Sequence, residues 1–177
     1  MKEIRIGFFK ATGCGKACQR YSHVELRFSD GTVTSITNPG GPFGDPGTIH
    51  YDQQRILSNN QYSCFIACHV TDQQELAMHE LAYQYFEEKR PFAWFAMYWN
   101  FLCCCCPLKR RRAVFCSEYV VLLLQAGGLL LDVNAWSTSP TSIYWRLMEE
   151  PEQFHFSVNN KKVRKIVVYG WSKVTEK

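Results

Sequence analysis

The run from Ser22 to Phe28 alternates without a break: Val24, Leu26 and Phe28 are apolar, and His23, Glu25 and Arg27 between them are not. A period of two belongs to a strand buried on one face, because a helix would scatter the same residues around its axis. Asp30-Gly31 follows as a turn pair, and Thr32 to Thr37 returns as the partner strand. Any fold for this chain must hold an antiparallel hairpin whose polar side carries His23 and Glu25.

The flanking segments extend that sheet. Lys2 to Phe9 predicts a first strand with Ile4, Ile6 and Phe8 on one side, and Tyr62 to Val70 another, in which Cys64 and Cys68 share a face with Ile66. Val163 to Trp171 is a third β-prone run. Helices are signalled by their caps. Thr71 with Gln74 forms a capping box for a helix that reaches about Lys89 before Pro91 stops it. Phe115 to Ala126 carries Val120, Leu123 and Leu124 on one stripe and ends at Gly127, and Ser139-Pro140 opens a short helix to Glu150. Thr12 to Cys18 is a loop, and Asn38 to Gly47, with four glycines and three prolines, is a longer one that could wall a cleft. The expected architecture is α+β, an antiparallel sheet with a few helices in a single domain spanning residues 1–177.

Composition narrows the chemistry. At 177 residues, with 46% hydrophobic and 20% charged, the chain can bury a core and is not of disordered type. A net charge of +4, with one dense basic run at Lys109 to Arg112, does not describe a nucleic-acid-binding surface. Met1 to Phe9 lacks the apolar core and cleavage site of a secretory signal, so a cytoplasmic location is expected. Nine cysteines are an odd number, and four are adjacent at Cys103 to Cys106, where neighbours cannot pair without strain. Reduced thiols are the simpler expectation.

A nucleophilic thiol needs a depressed pKa, access and a base. Cys116 stands at the start of the Phe115–Ala126 helix, where free N–H groups and the positive dipole end favour thiolate and can also hold an oxyanion. Most helix cysteines simply pack as small apolar residues. Against that, Ser117 and Glu118 suggest that this helix begins at a polar surface. His23 is the leading base. It shares a strand face with Glu25, about 7 Å along the strand, near enough for electrostatic bias but long for a direct hydrogen bond. The competing expectation for that face is ordinary solvated polarity. His79 and His155 have no supporting motif, whereas His50 and His69 are retained as outer groups.

These residues meet a family pattern. Tyr21-Ser22-His23-Val24-Glu25-Leu26, the Asp30-Gly31 turn, Gly40-Gly41, Arg90-Pro91-Phe92, and Phe115-Cys116-Ser117-Glu118-Tyr119 followed by Ala126-Gly127 resemble the circularly permuted papain-like, NlpC-related enzymes. The resemblance is nearest to their YiiX-type, phage and viral branch, related to the lecithin retinol acyltransferase-like enzymes, and it spans Ile4 to Leu147. It implies an antiparallel sheet packed against a cysteine-bearing helix, and a cysteine hydrolase or acyltransferase acting at amide, ester or thioester bonds. Its substrates would be peptides, amides or lipid acyl groups, with no cofactor and, if the source is viral, a place in the host cytoplasm. Cys116 would be nucleophile and His23 base. The family's third residue corresponds to Ser35, where a histidine or carboxylate is usual; serine can accept from the imidazole but cannot offset its charge.

Whether Ser35 or Glu25 is the third member depends on the hairpin. A strict two-residue turn pairs Leu26 with Ser35 and puts the serine on the apolar face, and one extra turn residue moves it beside Glu25. Either would act as a weak orienter if the helix end already favours the thiolate. Structural zinc on Cys14, Cys18, Cys64, Cys68, His69 and Cys103 to Cys106 lacks the usual Cys-x-x-Cys spacing, and no metal is expected. Phe92 to Cys106 is too short to span a bilayer, and Cys103 to Arg112 is the candidate for a peripheral membrane contact. A lipid-directed acyl hydrolase and an inactive binding module of the same fold are the alternatives to the thiol enzyme.

Overall fold

A computed structural model describes residues 1–10, 21–37, 47, 49–52, 64–93, 113–150, 154–158 and 161–162. The expected loops at Thr12–Cys18 and Asn38–Pro46, the aromatic and cysteine-rich stretch 94–112, and the Val163–Trp171 run lie outside the described residues. Among the described residues seven strands form one antiparallel sheet: β1 Lys2–Lys10, β2 Tyr21–Arg27, β3 Val33–Ile36, β4 Ile49–Asp52, β5 Cys64–Val70, β6 Phe154–Val158 and β7 Lys161–Lys162. Their order is β4-β3-β2-β1-β5-β6-β7. The α-helices among the described residues are α1 Asp72–Glu87, α2 Cys116–Ala126 and α3 Pro140–Met148. The fold is α+β.

The period-two pattern decides what the helices cover. Ile4, Ile6 and Phe8 of β1 lie in register with Cys68, Ile66 and Cys64 of β5, and Phe8 and Ile6 with Val24 and Leu26 of β2. All are buried, and they join Tyr119, Leu123 and Leu124 of α2 and Met78 of α1 in one core. Cys64 and Cys68 are thus core thiols, and burial pushes Cys68 up to about 11. Removing this much apolar surface from water, at about 25 cal/mol per Å², is what holds helices on this side of the sheet.

Capping fixes α1 as expected: Thr71 Oγ1 accepts from Gln74 N–H at 3.2 Å, and Gln74 Oε1 accepts from Thr71 N–H at 3.0 Å. The helix ends at Glu87, short of Lys89, which turns into the left-handed region with φ 47°. Glu75 on its first turn accepts from Ser29 N–H at 2.7 Å and Ser29 Oγ at 3.0 Å, and pairs with Lys2 Nζ at 3.0 Å. One carboxylate therefore ties α1 to the hairpin turn and the first strand.

The hairpin turn is longer than the two-residue form. Phe28 N–H donates to Thr32 O at 2.9 Å, enclosing Ser29, Asp30 and Gly31, and Gly31 adopts φ 92°, which glycine takes without a Cβ penalty. Leu26 consequently pairs with Thr34 and not with Ser35. Continuing that register sets Ser35 across from Glu25, so the open choice of parity is settled by the extra turn residue.

Thr34, on the helix side, anchors α2. Its hydroxyl donates to the His50 carbonyl at 2.9 Å and accepts from the Tyr119 hydroxyl at 2.6 Å. Replacing Thr34 by valine keeps the shape but leaves the buried Tyr119 hydroxyl without its acceptor. The loss should be about 2 kcal/mol in chemical denaturation, whereas Tyr119→Phe, which leaves Thr34 bonded to His50, should cost about half as much. Equal losses would mean that packing, not the hydrogen bond, carries the contact.

Candidate active site

Two faces of β2 meet the candidate residues. His23 and Glu25 lie on the side opposite Val24 and Leu26, with the His23 ring 5.1 Å from that of Phe9 on β1. The expectation of a solvated polar face holds for Arg27, which is exposed, and fails for the residues between the strands. Glu25 is 1% and Ser35 0% exposed, and Gly7, Phe65 and Ala67 of the same face are buried too. His23 Nε2 stands 3.9 Å from Glu25 Oε2, within range of charge attraction and beyond hydrogen-bond length.

Cys116 is the first residue of α2, and nothing in Phe115 can cap the helix. Glu118 reaches back instead, accepting from Phe115 N–H at 3.4 Å. The N–H groups of Cys116 and Ser117 are left to point at the thiol, and so does the N–H of Val24. The last is informative. Along an antiparallel strand alternate N–H groups face the same neighbour, and Phe28 donates toward β3. Val24 faces the same way, but the β2–β3 ladder stops at Leu26 and Thr34. The released amide lies near the sulfur, at the fork where the two strands part, and lowers the thiol's pKa.

The electrostatics oppose the expected pre-formed thiolate. Cys116 is 4% exposed, and burial pushes its thiol up to about 11, although the three N–H groups pull the other way. The reason is visible in the sequence after the fact. Ser117 and Glu118 were expected to mark a polar surface, but they are 0% and 7% exposed, so the helix starts inside the protein. A dipole end lowers a thiol's pKa only as far as water or charge also supports the anion. Glu118 is affected alike, raised to about 7 by burial against the pull of Phe115 N–H and Arg90.

The structure therefore sets Cys116 in the core with Val24 and Leu26, against the backbone of β2, and sets His23, Glu25 and Ser35 on the opposite face. It removes His69: that residue pairs with Glu3, six residues along β1 from the Phe9 that pairs with His23, or about 20 Å away. His79 belongs to another cluster, its ring stacked 3.6 Å from Phe28 with Nδ1 2.7 Å from the Tyr51 hydroxyl. Phe92 makes a parallel bridge to Val114, and Ala93 N–H donates to Val114 O at 2.9 Å, so the Arg90-Pro91-Phe92 segment braces the approach to the cysteine helix. Sequence reasoning gave no strand to Ile49–Asp52, although Ile49 and Tyr51 alternate with His50 and Asp52 there.

Among the described residues, no cluster of three metal-binding side chains occurs, Cys64, Cys68 and Cys116 are free thiols, and no helix is long and apolar enough to cross a membrane. Cys14, Cys18, Cys103 to Cys106 and the basic run to Arg112 lie outside the described residues. A surface concavity is lined by Ile49, Phe86, Glu87 and Lys89, none of them a candidate residue. No family model matches the chain, and no curated protein or solved structure matches it either.

Proposed function

We propose that this protein is a cysteine hydrolase or acyltransferase of the circularly permuted papain-like kind, with Cys116 as nucleophile and His23 as general base. The observation that carries the reading is the thiol at the first residue of α2, met by the N–H of the residue that follows His23. With the thiol raised to about 11, the resting sulfur carries its proton, which leaves as the bond to carbon forms. His23 accepts that proton, sulfur adds to the acyl carbonyl, and the oxyanion can be held by helix-end N–H groups. Collapse expels an alcohol, amine or thiol that takes the proton back from His23. The thioester on Cys116 is then cleaved by water or by an acyl acceptor, with His23 again moving the proton.

The test uses p-nitrophenyl esters of short and long acyl chains, a small thioester and an aminoacyl amide, followed by intact-mass analysis. The expected result is a burst of released group equal to the protein, with one acyl adduct mapped to Cys116. Long-chain donors reacting fastest would favour the lipid-directed form. The buried thiol is the observation that favours an inactive binding module, and absence of any adduct across the donors would support that reading instead.

A further inference from the structure

The polar face continues past the hairpin onto β4. Ser35 pairs directly with His50, so the two side chains share one face with Cβ atoms about 5 Å apart. The His50 ring is turned toward Thr37: Nε2 lies 2.9 Å from Thr37 Oγ1. Thr37 is two residues beyond Ser35 and so lies on the same face, where His50 holds it. Polar side chains of neighbouring strands thus share one side of the sheet: His23 and Glu25, then Ser35 and Thr37, then His50. There the Ser35 hydroxyl is fully buried and has no hydrogen-bond partner among the described residues. A folded protein seldom leaves such a group idle, so its partner is expected to form in another state of the site.

We propose that His50 is a positioning residue of this site, holding Thr37, and through it the end of β3 that carries Ser35, in place on the Glu25 side of the sheet. This rests on the assignment of Cys116 and His23 above. When His23 takes the thiol proton it becomes a cation with both ring nitrogens donating. Glu25 can offset the charge, and Ser35, idle while the ring is neutral, can accept the second N–H. That division requires β3 to stay at a fixed distance from β2 where their ladder has already opened, and the His50–Thr37 bond ties β3 to β4 at that point. A serine where the resembling family carries an ionisable orienter is then supported by an imidazole one strand further out.

The experiment follows the imidazole resonances of His23 by long-range 1H–15N NMR over pH, in the wild type, His50→Ala, His50→Gln and Thr37→Val, together with the rate of Cys116 acylation by a p-nitrophenyl ester. The groups on the His23 side of the sheet are Glu25 and Arg27 from its own strand, Arg5 and Phe9 from β1, and Ser35, Thr37 and His50 from β3 onward. Nothing on β1 or β2 is altered by these variants. His50→Ala and Thr37→Val should each move the His23 titration midpoint by at least about half a pH unit and slow acylation about tenfold. Glutamine, which keeps a hydrogen-bonding group for Thr37, should restore most of both. An unchanged His23 titration in folded His50→Ala or Thr37→Val protein overturns the proposal. If no donor acylates wild-type Cys116, the enzyme assignment fails, but the NMR comparison still decides whether His50 is coupled to His23.

Discussion

Cys116→Ala should leave no measurable acyl transfer, and His23→Ala should come close to it. Loss of the sulfur removes the bond-forming atom itself. Loss of the base is nearly as severe because of the environment found here: a thiol raised to about 11 is ionised to roughly one part in ten thousand at neutral pH, so a variant without His23 should fall by up to about that factor. The expectation of a weak orienter rested on a helix end that favours the thiolate, and burial removes that premise. Glu25→Gln should therefore cost about a hundredfold in kcat/KM, near 2.7 kcal/mol, because Glu25 is the charge 3.9 Å from His23 Nε2. Ser35→Ala should cost about tenfold, since it loses one acceptor and no charge. All four are read from single-turnover acylation, with thermal unfolding as the check that each variant folds. Residual turnover in Cys116→Ala above that of buffer would remove Cys116 from the mechanism, and a His23→Ala loss smaller than tenfold would assign the base elsewhere.

What the sequence made legible follows from the range of the interactions involved. The alternation at Val24, Leu26 and Phe28, the capping box at Thr71 and Gln74, and Ser139-Pro140 at the start of α3 are all decided within a few residues, and the structure has them where expected. The turn was half legible. Asp30-Gly31 marks its place, but its length depends on Ser29, whose N–H and hydroxyl are held by Glu75 from a helix 46 residues away. Burial of Glu25 on the second sheet face, and of Ser117 and Glu118 at the start of α2, was not legible at all. All three are polar and read as surface, and only tertiary packing makes them interior. The same blindness produced the wrong sign for Cys116. Local sequence reports the helix dipole that lowers a thiol's pKa but not the loss of solvent that raises it. His50 was retained only as an outer group without a partner assigned, since its link to Ser35 is a cross-strand register that four residues of β4 cannot announce alone.

Glu118→Gln should stabilise the protein at alkaline pH and do almost nothing at acid pH. Glu118 occupies the first turn of α2, is 7% exposed, and reaches back to Phe115 N–H at 3.4 Å. Burial raises it to about 7, with Phe115 N–H and Arg90 pulling down, and Arg90 is itself held 3.6 Å over the Tyr85 ring and paired with Glu88 at 2.6 Å. In the unfolded chain the same carboxyl titrates in its ordinary range near 4.5. The folded state therefore holds the proton more tightly. The neutral carboxyl's contribution is complete below about pH 4 and is lost as pH rises toward and through 7, by about 3 kcal/mol in all. Glutamine is neutral throughout and can still accept from Phe115 N–H, so the variant escapes that loss. At pH 8 it should unfold roughly 10 °C above the wild type, and at pH 4 the two should coincide. Urea unfolding from pH 4 to 9 checks this through the slope of stability against pH, which should flatten in Glu118→Gln. Parallel slopes for the two proteins would mean that Glu118 stays ionised in the fold, and that the start of the cysteine helix is better hydrated than its burial indicates.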